Sequence, residues 1–228
     1  MARKILSFIL LTIGINSNAQ IPSGYYNSAT GSGYVLKTQL KSIISSGHVD
    51  QGYGDLYDAY VSSDSDFFYE NDNTILDMYS ENPTGTDTYN YDHDGDRRCG
   101  NYNSENDCYN REHIFPQGFF NQQLPMRSDI HHVVPTDGYV NGRRSNYPFG
   151  EVSNATWTSN NGSKVGQNTY GSYSGVVFEP IDEFKGDIAR MLLYFAVRYE
   201  DDVTSNTWDS HTTTNNPLNG SNNQVYET

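Results

Sequence analysis

The chain has 228 residues and a formal charge of −14, with 19 Tyr, 20 Gly and two Cys. That length suits a single domain with one sizeable core, and the acidic balance excludes a broad electrostatic grip on nucleic acid while leaving room for a local one. No apolar run approaches the ~20 residues that a membrane-spanning helix needs.

At the N-terminus Arg3 and Lys4 precede an apolar run from Ile5 to Ile15, followed by the small-residue stop Ser17-Asn18-Ala19. These are the three parts of a secretory signal. Residues 1–19 are therefore expected to be removed between Ala19 and Gln20, and residues 20–228 to be exported with a charge of −16, because Arg3 and Lys4 leave with the leader. The mature protein is expected to be secreted or periplasmic, free of the membrane and monomeric.

From Tyr34 to Ile44 the apolar residues Val35, Leu36, Leu40, Ile43 and Ile44 recur at helical spacing, which predicts an amphipathic helix ending near Gly47. A second helix is expected from Gly54 to Val61. Aromatic and β-branched residues flank a polar turn at Asn71 to Asn73, so Phe67 to Tyr79 fits a hairpin. Asn82 to Tyr91, with Pro83 and Gly85, reads as loop. Asp92 to Asp96 opens like a calcium loop, but an EF-hand needs Gly at the sixth position and an acid at the twelfth, where Arg97 and Asn103 stand. A solvated acidic turn is the expectation there. The pair Cys99 and Cys108 is read as a disulfide, ahead of a zinc site, which would want further ligands at short spacing.

Cys108 to Phe115 reads as a strand that Pro116 ends. Taken alone, its Arg111-Glu112-His113 would be a surface ion pair between Arg111 and Glu112 beside a solvated histidine. Ile130 to Val134 is a second strand candidate, whose alternation would send His131 and His132 to opposite faces. Pro135-Thr136-Asp137 looks like a strand-to-helix turn with Thr136 or Asp137 as N-cap. The helical turn that follows would set Asn141 and Arg144 on one side. Farther on, Tyr147 to Gly171 is expected as loops with short strands, Val176 to Pro180 as a buried strand, and Asp182 to Glu200 as the strongest helix, with Asp182 as its N-cap. The stretch from Asp209 to Asn223 has no periodicity.

Two strands and a helix carrying acid, imidazole and amide make a compact metal-centred arrangement. Oxygen ligands from Glu112 and Asn141 suit a hard cation such as Mg²⁺, and a neutral His113 can take a proton from water. With arginines nearby, these are the requirements of phosphodiester hydrolysis, where an anionic substrate needs charge neutralised in the transition state.

NREHIFPQGFF followed by DIHHVVPTDGYVNGRRSNYPFG resembles the bacterial endonuclease I family of secreted, non-specific nucleases. YYNSATGSGYVLKTQL, CGNYNSENDCYNREH and FKGDIARMLLYFAVRYED extend the likeness across residues 24 to 201. The resemblance implies an α+β fold: a ββα-metal (His-Me finger) nuclease core with flanking helices and short strands in a single domain. It implies His113 as general base, Glu112 and Asn141 as ligands of one divalent cation, Mg²⁺ first with Mn²⁺ or Ca²⁺ in its place, and nucleic acid as substrate, DNA and by extension RNA, cut to leave 5′-phosphates. In some members a phosphate-binding arginine sits on a cysteine-bearing insertion that is absent here. Arg127 is therefore expected at the transition state, Arg144 in structure or substrate binding, and His132 as a supporting, packed residue rather than a ligand; the same caution covers His131 and Asn146. Related proteins continue into a further helix and strand, so either the C-terminus diverges or the chain is a fragment.

Two other readings stand beside this one. One is a calcium-stabilised extracellular binding protein centred on Asp92 to Asp96. The other is a zinc hydrolase using His113, His131 and His132, ranked last because no HExxH-type helical pair is present.

Overall fold

A computed structural model describes residues 21–171 and 173–203; the proposed leader and the polar stretch from Asp209 to Asn223 lie outside the described residues. The predicted first helix is α1, Gly33–Ser45, with the chain leaving through Gly47 at φ +78°. It lies against the last long helix and is tied to the short helical turn after it by ion pairs from Lys37 to Glu200 and from Lys41 to Asp201. The second helix, α2, spans Leu56–Ser63 and buries Leu56 and Tyr60.

The segment predicted as a hairpin between Phe67 and Tyr79 contains no strand; only a single bridge joins Ser65 to Ile75. The reason is local. The carboxylate of Asp66 accepts the backbone N–H groups of Phe68, Tyr69, Glu70 and Asn71, so these donors are satisfied by a side chain rather than by a cross-strand ladder. Asp92, Asp94 and Asp96 are exposed, and Asp94 accepts the N–H of Asp96, as a solvated turn would.

Strand β1, Tyr109–His113, pairs antiparallel with β2, Val133–Asp137, and α3, Gly138–Arg144, follows at once. Pro135 and Thr136 are strand residues, not the turn that was expected. Pro135 faces Arg111 in the register. The bonds from Ile114 N–H to the His132 carbonyl and from Gly138 N–H to the Cys108 carbonyl put the hydrogen-bonded pairs on the even-numbered residues of both strands. Arg111–Pro135 is therefore a non-hydrogen-bonded pair, where a missing N–H leaves the ladder intact. Residues 130–132 form a turn ahead of β2, so His131 and His132 diverge by turn geometry rather than by strand alternation.

A second sheet, in the order β3 (Val152–Thr158), β4 (Lys164–Asn168), β5 (Val176–Glu179), is antiparallel throughout. Helix α4, Asp182–Arg198, has Ile181 at its N-cap, with Asp182 one step inside and exposed, bound to Lys185. A last helical turn, α5, covers Glu200–Val203. Phe184 and Ile188 of α4, Phe178 of β5, Val140 of α3, Ile114 and Val134 from the strand pair, and Tyr79 share one core. Phe195 and Tyr199 form a second with Phe115, Phe120 and Met126. The result is an α+β single domain whose ββα unit is packed on both sides. Among the described residues no helix is long and apolar enough to cross a membrane.

Candidate functional site

Cys99 and Cys108 form a disulfide one residue before β1. The loop it closes lays Tyr102 on α3, so close that a Cβ on Gly138 or Gly142 would run into the ring. Both glycines are needed for that approach, and through it the disulfide loop braces the helix that carries Asn141. At the head of α3, Asp137 caps the Val140 N–H with one oxygen, while the other accepts from Tyr91 Oη and the Asn106 N–H. The Asp137 N–H is itself held by the buried carboxylate of Asp77 at 2.8 Å. Burial, with Asp137 next to it, pushes the Asp77 acid up to about 7. Four parts of the chain thus converge on the start of α3.

Strand alternation sends Glu112 toward α3 and sends Arg111 and His113 toward α2. Glu112 is buried, and its Oε1 takes both side-chain donors: Tyr79 Oη at 2.9 Å and Arg144 Nη1 at 3.1 Å. Neither falls on Oε2. Burial raises the acid's pKa against the pull of Arg144 and Tyr79. Arg144 is 1% exposed, donates to the carbonyls of His113 and Ile114, and lies on the Phe149 ring. The ion pair of Glu112 is therefore with Arg144, not with Arg111, and His113 is buried rather than solvated.

The Nε2 of His113 stands 3.1 Å from the Arg127 carbonyl. A carbonyl can only accept, so Nε2 carries the proton and Nδ1 keeps its lone pair. Burial, followed by the neighbouring His132 and the guanidiniums of Arg127 and Arg111, pushes the His113 pKa down to about 3. His132 repeats the pattern: its Nε2 donates to the Met126 carbonyl at 2.8 Å, and burial lowers it to about 4. It packs at 6.1 Å from the His113 ring and against Phe195. His131 points away, bound to Asp129 and stacked on Tyr194. The three histidines do not converge on a common point, which removes the geometry that a zinc site would need.

A cleft of about 420 Å³ is lined by Asn110, Arg111, Glu112 and His113 of β1, by Asn141 and Arg144 of α3, and by Tyr53, Arg98, Gln117 and Asn146 among others. In it Asn141 donates its Nδ2 to Asn110 Oδ1 at 2.7 Å, which leaves its own Oδ1 outside that bond. Arg127 is not a lining residue; its guanidinium lies 4.2 Å from the centre of the Tyr53 ring. Arg111 covers the same ring at 3.5 Å, donates to the Tyr53 carbonyl and does line the cleft. The sequence gives no local sign of Tyr53, Tyr79 or Arg98 as neighbours of the site, since each arrives from a distant segment. Arg98 had one clue, its place beside Cys99.

Glu112, His113 and Asn141, an acid, an imidazole and an amide, therefore line one cleft. A ribbon of two strands followed by a helix, with these groups at the strand end and on the helix, is the layout of the ββα-metal nucleases. The chain belongs to the endonuclease I family, whose model matches residues 32–228. It is 35% identical over 179 residues to a protein of Bacillus amyloliquefaciens described as an extracellular ribonuclease, covering 77% of this chain and 53% of that one. A protein of the same description from Bacillus subtilis (strain 168) is 34% identical over 182 residues, covering 78% and 54%. The chain spans about half the length of these curated relatives. No solved structure matches it significantly.

Proposed function

We propose that this chain is a secreted, divalent-metal-dependent endonuclease that hydrolyses phosphodiester bonds in DNA and RNA to 5′-phosphate products. The observation that carries the reading is His113, a neutral imidazole whose Nε2 is pinned to the Arg127 carbonyl, lining the same cleft as Glu112 and Asn141. Family membership and relatives described as extracellular ribonucleases support it. The leader, residues 1–19, would direct export, with residues 20–228 as the nuclease domain.

Glu112 and Asn141 would hold the ion. Their donor set fits a hard cation such as Mg²⁺, because both offer oxygen and each keeps one oxygen clear of the side-chain bonds described above. When bound, such an ion supplies charge neutralisation at the phosphate and the leaving oxygen. The protein's own part begins with His113, which takes a proton from water at Nδ1 as that water attacks phosphorus in line. Because water is the nucleophile, the ribose 2′-hydroxyl is not required, and both kinds of nucleic acid are substrates. Arg111, which lines the cleft, engages the phosphate in the place first expected of Arg127; Arg127 acts through its carbonyl on His113. Arg144 orients Glu112 and does not touch substrate.

Supercoiled plasmid incubated with the full chain and Mg²⁺ is expected to be nicked and linearised, and EDTA to stop the reaction. Intact plasmid in the presence of Mg²⁺ would end the nuclease reading. The depressed pKa of His113 has a consequence of its own. Its imidazole is neutral in the folded enzyme across pH 5 to 8, so kcat/KM at saturating Mg²⁺ is expected to show no acid limb at the ordinary histidine value of about 6.5. An inflection there would mean that the imidazole is solvated during turnover.

A further inference from the structure

Away from the cleft, Asp66, Glu70 and Glu81 each bring one carboxylate oxygen within 4.8 Å of the others. A group of acids is not a site by its proximity alone, but Glu81 adds a separate fact. It is 1% exposed, and its Oε1 has neither solvent nor a hydrogen-bond partner. Among the described residues no lysine, arginine or histidine makes an ion pair with any of the three. We infer that Asp66, Glu70 and Glu81 form a second, structural cation site that takes Ca²⁺.

Three carboxylates on two turns suit Ca²⁺, which takes several protein oxygens in flexible geometry, better than Mg²⁺, which keeps most of its waters. Oxygens roughly 2.3–2.6 Å from one Ca²⁺ can stand about 5 Å apart, whereas on Mg²⁺, at about 2.0–2.1 Å, they must lie within about 4.2 Å. The three oxygens here lie within 4.8 Å of one another, inside the span that one Ca²⁺ allows. Asp66 is held by four backbone N–H bonds, two on each oxygen, which fix its carboxylate and favour its charged form beside Glu70 and Glu81. Burial, then Asp87, Glu70, Asp66 and Asp77, push the Glu81 acid up to about 8, the response of a carboxylate set among its own kind without a counter-charge. A proton would remove that charge but leave the buried oxygen without a partner. A cation answers both needs.

The ion joins the turn at Asp66 to the turn at Asp77–Glu81. That second turn supplies Tyr79 to Glu112 and Asp77 to the head of α3. The cation therefore braces the wall behind the cleft without entering it, and the inference does not depend on the nuclease reading.

Calorimetric titration of the full chain with CaCl₂, alongside thermal melts with and without Ca²⁺, tests it. The wild type is expected to bind Ca²⁺ and to melt higher in its presence. Glu81→Gln and Glu70→Gln should each weaken that binding about tenfold or more and lose the rise in Tm, while Asn141→Ala should keep both. Glu70 is the most open of the three, so Glu70→Gln decides the matter if Glu81→Gln fails to fold. Wild-type affinity in Glu70→Gln, or Ca²⁺ binding that vanishes only with Asn141→Ala, would overturn the site and leave Glu81 as a buried protonated acid.

Discussion

Replacing His113 by alanine is expected to lower kcat for plasmid cleavage by a factor of about 10² to 10⁴, the usual contribution of a positioned general base, while Mg²⁺ affinity measured by calorimetry stays near that of the wild type. The two effects separate because His113 is tied through Nε2 to a carbonyl and is not one of the proposed ligands. Asn141→Ala is the complementary variant. It keeps the base and removes one ligand oxygen, so the Mg²⁺ concentration needed for half-maximal rate should rise. Loss of the ion in His113→Ala would show that base and ligand had been exchanged. A Mg²⁺ requirement unaltered by Asn141→Ala would withdraw Asn141 from the ligand set.

Arg144→Met is expected to destabilise the fold by about 3–5 kcal/mol in urea or guanidinium unfolding, because it leaves Glu112 as an uncompensated charge in the interior. Both partners are almost wholly buried, at 1% and 2% exposure, so solvent screening does little to soften the loss. The variant also strips the His113 and Ile114 carbonyls of their donors. Adding Glu112→Gln should recover part of the stability, since the unpaired charge is then gone, while leaving the enzyme inactive. A single Arg144→Met variant as stable as the wild type would place the arginine in substrate binding instead.

That Glu112, His113 and Asn141 would come together at the candidate site was legible in the sequence because each depends on short-range geometry. Glu112 and His113 are neighbours on one strand, and Asn141 follows Asp137 by one helical turn, with Asp137, one of the two caps expected, capping that helix. The helices at Gly33–Ser45 and Asp182–Arg198 were legible for the same reason: their apolar residues repeat at the helical period. Where local reading failed, a side chain or a register changed the outcome. Asp66 gathered four N–H groups that a hairpin would have spent on a partner strand. Pro135 fell on a non-hydrogen-bonded pair, which let it continue β2 instead of turning the chain.

The sequence by itself determined the acid, imidazole and amide that β1 and α3 bring to the cleft, the pairing of the two cysteines and the periodic helices, since these follow from spacing along the backbone. Only the tertiary structure decided which arginine neutralises Glu112, which nitrogen of His113 bears the proton, and which cations line the cleft. Those answers depend on Arg144, Tyr79, Tyr53 and the Arg127 carbonyl meeting from segments that are far apart in the chain. The physical reason is that a hydrogen-bond partner or counter-ion is chosen by which groups are buried together, and burial is settled by how the elements pack.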